Sequence, residues 1–177
     1  AEKLVVAGYT PVGIDHFAKP GDSLARARDN GTIRRNFQGY TTRGDAEIYA
    51  MGMSSISQLH NVYAQNEKKE KRYRDRVRAG ELPIGAGYRL SDDDHIRRYV
   101  IMQIMCNSVV HKSEVRSRFG VDFDDYFTDS LNRLDEFTAD GLLQLLPDRL
   151  VISDEGRLVI RNIAMAFDNH LVRDGAS

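Results

Sequence analysis

From residue 91 onward, apolar side chains recur at helical spacing. Ser91 can act as an N-cap, and Asp92, Asp93 and Asp94 after it suit the positive end of a helix dipole. Ile96, Tyr99, Val100, Gln103 and Ile104 share one face, and Ile101, Met102 and Met105 fill the others. The pattern predicts a deeply buried helix. A short helix over 113–119 ends at Gly120. A longer one over 123–139 carries Phe123, Phe127, Leu131, Leu134 and Phe137 as one stripe, with Gly141 as its cap. Residues 142–146 and 149–153 read as a strand pair around Pro147-Asp148. A last amphipathic helix starts after Ser153 and runs through Leu158, Ile160, Ile163, Met165 and Phe167 to about Leu171. Three helices, a two-stranded wing and a closing helix predict a winged-helix-like unit.

The first sixty residues have another texture. Residues 1–7 read as the end of a helix with Gly8 as its left-handed cap. No N-terminal capping signal precedes it, so the chain is expected to be the C-terminal piece of something longer. Val12, Ile14 and His16 alternate with Gly13, Asp15 and Phe17, as in a strand. Lys19-Pro20-Gly21 signals a turn, Asp22 can cap a helix over 23–30, and Gly31 can end it. Residues 33–40 start as a strand and pass into a polar loop. Residues 45–57 allow either a buried strand or a helix start. The alternation suggests βα units, too few to close a barrel.

Between these regions, 63–80 reads as a connector containing a helix. Residues 67–78 hold seven Lys/Arg against three acids, spaced for an exposed, ion-paired face. Residues 80–89 read as a Gly/Pro-containing linker. The expected fold class is α+β, with domains at 1–62, 63–90 and 91–177.

Composition narrows the chemistry. Of 177 residues, 41% are hydrophobic and 29% charged, with a net charge of -1. No global field therefore pulls the chain toward nucleic acid or an anionic membrane. No apolar run approaches the roughly 18 residues of a membrane span. The lone cysteine, Cys106, rules out a disulfide framework within the chain and sits in an apolar run, as a small core residue would. A cytoplasmic location is the default. The five histidines show no zinc-type spacing, so no metal ligands are expected. Ser54, Ser55 and Ser57 lack the G-x-S-x-G elbow, and Gly85-Ala86-Gly87 is no dinucleotide fingerprint. Asp15 and His16 would face opposite sides of a strand, so His16 reads as structural rather than as half of an acid/base pair. The densest polar word is Arg35-Asn36-Phe37-Gln38-Gly39-Tyr40-Thr41-Thr42, with the look of a functional loop.

That word, Gly8-Tyr9, Gly13-Ile14-Asp15-His16-Phe17-Ala18 and Met51-Gly52-Met53-Ser54-Ser55-Ile56-Ser57 together resemble the oxygen-independent coproporphyrinogen III oxidases. Tyr63-Ala64-Gln65-Asn66, Ile96-Arg97-Arg98, Asp140-Gly141-Leu142 and the run 156–163 fit the same pattern. The resemblance implies a radical S-adenosylmethionine enzyme of haem biosynthesis. It implies an incomplete β/α (TIM-like) barrel with a 4Fe–4S cluster on a C-x3-C-x2-C loop, and a helical C-terminal domain over the barrel. Reductive cleavage of S-adenosylmethionine would give a 5′-deoxyadenosyl radical. That radical would take hydrogen from two propionates of coproporphyrinogen III, which lose carbon dioxide and become the vinyl groups of protoporphyrinogen IX. The resemblance further implies that Ile56 packs on S-adenosylmethionine and that Phe37 and Gln38 lie near its nucleotide. Tyr40, Asp15 and His16 would be cavity wall.

The chain departs from the family pattern in lacking C-x3-C-x2-C. The cluster loop and the N-terminal barrel are expected upstream, leaving this fragment unable to bind the cluster and inactive alone. The fragment is expected to self-associate through an apolar edge with Val12 and Ile14, and the full-length protein to be a monomer. A haem-chaperone or other porphyrin-processing relative is the neighbouring alternative; the 36–42 word argues for the oxidase. A winged-helix nucleic-acid binder is the reading from another class. Its reading helix would carry seven acids against Arg133 alone over 122–141, the wrong sign for a phosphate backbone.

Overall fold

The structure is a computed structural model that describes residues 1–13, 16–44 and 46–170. In chain order, the elements up to residue 44 are α1 (Glu2–Val6), β1 (Thr10–Pro11), β2 (Phe17–Ala18), α2 (Ser23–Asp29), β3 (Arg34–Asn36) and β4 (Gly39–Thr41). Then come β5 (Ile56–Gln58), β6 (Val62–Asn66), α3 (Glu70–Arg78) and β7 (Ile84–Arg89). The remainder is α4 (Asp92–Asn107), β8 (Val109–His111), α5 (Lys112–Phe119), α6 (Phe123–Tyr126), α7 (Thr128–Asn132), α8 (Asp135–Ala139), β9 (Leu143–Leu145), β10 (Arg149–Ile152) and α9 (Ile160–Met165).

These elements form two compact units. One combines Ala1–Gly44 with the chain from Ile96 onward, and the other is Asp45–His95. The division differs from the expected boundaries at 62 and 90. The stretch 63–90 is not a connector, because its β6 and β7 join β5 in an antiparallel sheet of order β5-β6-β7.

In the first unit, helix ends follow local chemistry. Gly8, at φ 81, closes α1 with Gly8 N–H on the Val5 carbonyl and Tyr9 N–H on that of Leu4. The same paired bonds end α2 at Gly31, and Asp22 caps its start by accepting from the Leu24 N–H at 2.8 Å. The expected βα units do not appear as parallel strand pairs among the described residues. The described strands pair only antiparallel: β1 with β2, and β3 with β4. The Val12 N–H donates to the His16 carbonyl, so the chain reverses where a straight strand was expected. Ile14 and Asp15 lie outside the described residues. Val12 is only 2% exposed, which removes it from any self-association edge.

The core divides around α4. Ile96, Val100 and Ile104 join Val110, Phe123, Phe127, Leu134, Leu143, Leu150, Ile163 and Phe167 in one cluster. Met102, Met105 and Cys106 join Val12, Ile33 and Tyr40 in the other. The expectation of a helix buried nearly all round therefore holds. A three-stranded sheet of order β8-β10-β9 flanks the first cluster's helices. The expected pair is β9 and β10; β8 is an addition.

Two predicted helices are broken. The stretch 123–139 is α6, α7 and α8, interrupted at Phe127 (φ -106, ψ 20) and Leu134 (φ -98, ψ 0). Both interrupting residues are buried, so the apolar stripe continues while its backbone turns. The closing helix begins as a 3-10 turn over Gly156–Val159 before α9, leaving Leu158 87% exposed. Gly156 occupies a position where a Cβ would lie 1.9 Å from the Leu142 carbonyl oxygen. Leu171, the expected helix end, lies outside the described residues.

In the second unit, 80–89 is largely the strand β7 rather than a linker. Gly85 passes close to Glu67, whose Cα would be 3.2 Å from a Cβ there. Helix α3 is exposed as expected and carries the i,i+4 pairs Glu70–Arg74 and Lys71–Asp75. Residues 46–55 form neither the expected buried strand nor a helix before β5, and residue 45 lies outside the described residues. Ile48 makes one bridge to Gln58, and the rest is loop.

Candidate functional site

The 36–42 word is the turn and second strand of the β3–β4 hairpin, not an open loop. Arg34 pairs with Thr41, Arg35 with Tyr40 and Asn36 with Gly39, which leaves Phe37 and Gln38 at the tip. The Asn36 side chain accepts from the Gln38 N–H at 2.8 Å, and Gly39 takes φ 129. An asparagine and a glycine thus supply the turn chemistry. Phe37 is 57% exposed and Gln38 is exposed beside it.

Tyr40 anchors this hairpin. Its ring is 9% exposed, meets the His16 ring edge-on at 5.0 Å, and lies 5.5 Å beneath the Arg35 guanidinium. A Cβ on Gly13 would come within 2.2 Å of that ring, so glycine is required for the close approach. His16 and Tyr40 are therefore brought together as supports behind the tip. Asp15 lies outside the described residues.

Ile56 belongs to the other unit. It is half-buried in β5, opposite Gln65 of β6, immediately after the 50–55 loop. That loop contains Gly52 at φ 101 and Ser54 at φ 61, and backbone bonds tie its end to β6 and the residue after it: Ser54 N–H donates to the Glu67 carbonyl at 3.0 Å and Asn66 N–H to the Ser55 carbonyl at 2.9 Å. Side chains hold it as well. The Asn66 amide nitrogen donates to the Gly52 carbonyl at 2.9 Å, the Ser55 hydroxyl at 3.2 Å and the Ala50 carbonyl at 3.4 Å. Gln65 donates to the Ser54 carbonyl at 3.1 Å. The Tyr73 hydroxyl accepts from Gly52 N–H at 3.2 Å, and the Ser57 hydroxyl from Ala50 N–H at 3.0 Å. Met51 is 91% and Met53 47% exposed. Sequence reasoning marked Ile56 but missed Asn66. The residue stands in a word carrying the family resemblance, yet its partners lie 11 to 16 positions earlier.

Cys106 is a poor metal or cluster ligand. Burial pushes its thiol up to about 11, against the smaller opposing influence of Arg34 and Arg35, whereas ligation needs the thiolate. Among the described residues, no three or more His, Cys, Asp or Glu side chains are grouped to hold a metal ion. Among the same residues, no helix is long and apolar enough to cross a membrane. On the 122–140 stretch, Asp122 and Asp124 meet Arg116 and Lys112. Bonds from the Asp125 N–H, with help from Arg116 and the Asp124 N–H, hold the Asp122 carboxyl below its ordinary range.

Residues 90–159 match the family model described as the HemN C-terminal domain. Over 172 residues the chain is 45% identical to an oxygen-independent coproporphyrinogen III oxidase of Synechocystis, covering 95% of this chain and 37% of that protein. It is 41% identical to the protein of the same name in Pseudomonas aeruginosa, over 96% of this chain and 37% of the relative. A solved structure described as "Coproporphyrinogen III oxidase (HemN) from Escherichia coli is a Radical SAM enzyme" superposes with TM-score 0.92 at 40% identity. That match covers 96% of this chain and 39% of the other. The chain thus spans little more than a third of the length of these relatives.

Proposed function

We propose that this chain, which belongs with the C-terminal part of the oxygen-independent coproporphyrinogen III oxidases, serves as the C-terminal portion of a radical S-adenosylmethionine oxidoreductase that converts coproporphyrinogen III to protoporphyrinogen IX. The observation that carries this reading is the match to a radical enzyme over 96% of the chain at TM-score 0.92. In that reaction each of two propionate side chains would give a hydrogen atom to the radical, one electron to a one-electron acceptor and its carboxyl carbon as carbon dioxide, leaving a vinyl group.

The residues present suit one cofactor and not the other. The exposed Phe37 ring and the adjacent Gln38 amide offer an apolar face and hydrogen bonds of the kind an adenosine takes. Ile56 offers an apolar contact. Each of these residues matches, by the family resemblance, a position near S-adenosylmethionine, which supplies the hydrogen-abstracting radical when bound. One buried cysteine with a raised pKa does not suit a 4Fe–4S cluster, so the cluster is assigned to a preceding part and the chain alone is inactive. The order β8-β10-β9, with helices between β8 and β9, supports a winged-helix-like reading of the region from 91 on. Its acidic face suits docking within the enzyme rather than DNA.

The test joins this chain to the N-terminal part of the Synechocystis relative and reconstitutes the cluster without oxygen. The chimera should release carbon dioxide and form protoporphyrinogen, and the chain alone should do neither. Phe37→Ala should lower kcat/KM about tenfold. A chimera with intact cluster and bound S-adenosylmethionine but no decarboxylation would overturn the reading. Haem binding without turnover would favour the chaperone relative.

A further inference from the structure

On strand β3, two neighbouring arginines are held in different ways. Both are half-buried. Arg34 gives a guanidinium N–H to the Ile33 carbonyl at 2.9 Å. Two other half-buried arginines of the same unit are satisfied likewise: Arg28 donates to the Pro11 carbonyl at 3.0 Å and Arg97 to that of Phe167 at 3.2 Å. Arg35 makes no hydrogen bond and no ion pair among the described residues. Its guanidinium lies 5.5 Å from the centre of the Tyr40 ring instead. A ring face attracts the charge, but a planar guanidinium still directs its N–H donors outward in its own plane. The surroundings do not neutralise it either. The charged groups that act on the Cys106 thiol of α4 are Arg34 and Arg35, both cationic. Taking a charge out of water costs free energy unless an opposite charge meets it. Arg35 is thus a cation fixed by β3 and Tyr40 with hydrogen-bonding capacity to spare, and Phe37 and Gln38 follow it at the tip of the same hairpin.

We propose that Arg35 binds a carboxylate of a ligand that reaches the β3–β4 hairpin. The guanidinium fork matches a carboxylate with two parallel N–H···O bonds, and a lysine at the same place would meet it only as a point charge. Two molecules of the proposed reaction carry that group: S-adenosylmethionine on its methionyl part, and the tetrapyrrole on its propionates. The identity of the ligand rests on the proposed function; the presence of an anion-binding guanidinium does not. Arg34, whose N–H is taken by its own backbone, is a support of the strand rather than part of the site.

Titration of the intact chain, and of its chimera with the Synechocystis N-terminal part, tests this with paired probes. Coproporphyrin III, the stable oxidised ring, is followed by its fluorescence and compared with its tetramethyl ester, which has no carboxylate. S-adenosylmethionine is followed by equilibrium dialysis and compared with 5′-methylthioadenosine, which lacks the amino-acid end. Arg35→Gln should weaken at least one carboxylate-bearing probe about tenfold and leave its carboxylate-free counterpart unchanged. Arg35→Lys keeps a charge beside Tyr40 without the fork. It should recover only part of the loss, and it keeps the test usable if Arg35→Gln fails to fold. A loss confined to coproporphyrin III assigns the propionates, and one confined to S-adenosylmethionine assigns the methionyl carboxylate; either supports the proposal. Equal weakening of a probe and its carboxylate-free counterpart would show that Arg35 only props the hairpin, and would overturn it. So would unchanged binding in both variants, or no binding of either carboxylate-bearing probe by the chain and the chimera. Unchanged binding in a chimera that still turns over would leave the proposed function standing without this site. Weakened binding in a chimera that does not turn over would keep the site and remove the function.

Discussion

The cluster around α4 and the 50–55 loop keep their shapes by opposite means. In the first, Phe123, Phe127, Leu134 and Phe167 are at most 2% exposed, and order comes from excluded water and close packing. In the second, the large side chains Met51 and Met53 face solvent, and order comes from hydrogen bonds, those of the Gln65 and Asn66 side chains and those of the Ser54 and Ser55 backbone. Packing resists substitution wherever volume changes. A hydrogen-bonded loop instead tolerates changes at its exposed tips but not at its tethers. The contrast separates side chains held by packing from side chains left in solvent on a hydrogen-bonded frame.

The sharpest way to break this comparison is to empty the core. The Phe127 ring is 1% exposed, with ring centroids 5.1 Å from Phe123, 5.0 Å from Tyr126 and 5.2 Å from Phe167. Phe127→Ala should cost about 4 kcal/mol in denaturant unfolding. A loss below about 1 kcal/mol would show that the cluster is loosely packed. A smaller effect is expected at the hairpin support. Gly13→Ala places a methyl against the Tyr40 ring, itself hemmed in by His16 and Arg35. It should cost about 2 kcal/mol, and the double change Gly13→Ala/Tyr40→Ala should cost less than the sum of the single changes.

What the sequence disclosed follows the same division. Helix caps at Asp22, Ser91, Gly120 and Gly141 were legible because a cap is chemistry among neighbours. Ser91 and Asp94 even cap one another reciprocally, with Ser91 N–H donating to Asp94 at 2.8 Å. The buried stripe of 123–137 was legible too, but its breaks at Phe127 and Leu134 were not, since an apolar residue reads the same whether or not its backbone is helical. Strands β7 and β8 escaped because a strand is defined by its partner. Gly85-Ala86-Gly87 resembles a linker until β6 is placed beside it, and Val109-Val110 is too short to signal alone. The antiparallel pairing of β1 with β2 was missed for that reason as well. Phe37, Gln38 and Ile56 came from the family resemblance, which carries no geometry; the tip position of the first two is visible only once β3 and β4 pair.

Tyr99 gives a milder, pH-resolved test of the α4 region. Burial, together with the hydrogen bond to Glu114, pushes its phenol from 10.0 up to about 12. The folded protein thus favours the neutral phenol more than the unfolded chain does. This contribution to stability is complete below pH 10 and is lost as the pH rises toward 12. Tyr99→Phe should flatten the alkaline limb of the stability curve between those values and leave neutral pH little changed. An unaltered limb would mean that the phenol is not desolvated.

The smallest expected effect bears most directly on the comparison. Met51 is 91% exposed, so Met51→Ser removes almost no buried area. It should shift unfolding free energy by less than about 0.5 kcal/mol. A residue of similar size in the α4 cluster could not be cut back so cheaply. If Met51 were instead covered by other parts of the chain in solution, the substitution would lower stability by an amount closer to a core truncation, and the loop would be packing material after all. Urea unfolding of the variant distinguishes the two outcomes. Near-neutral stability is the pattern expected of a loop held by hydrogen bonds, because its exposed apolar side chains gain almost nothing from folding.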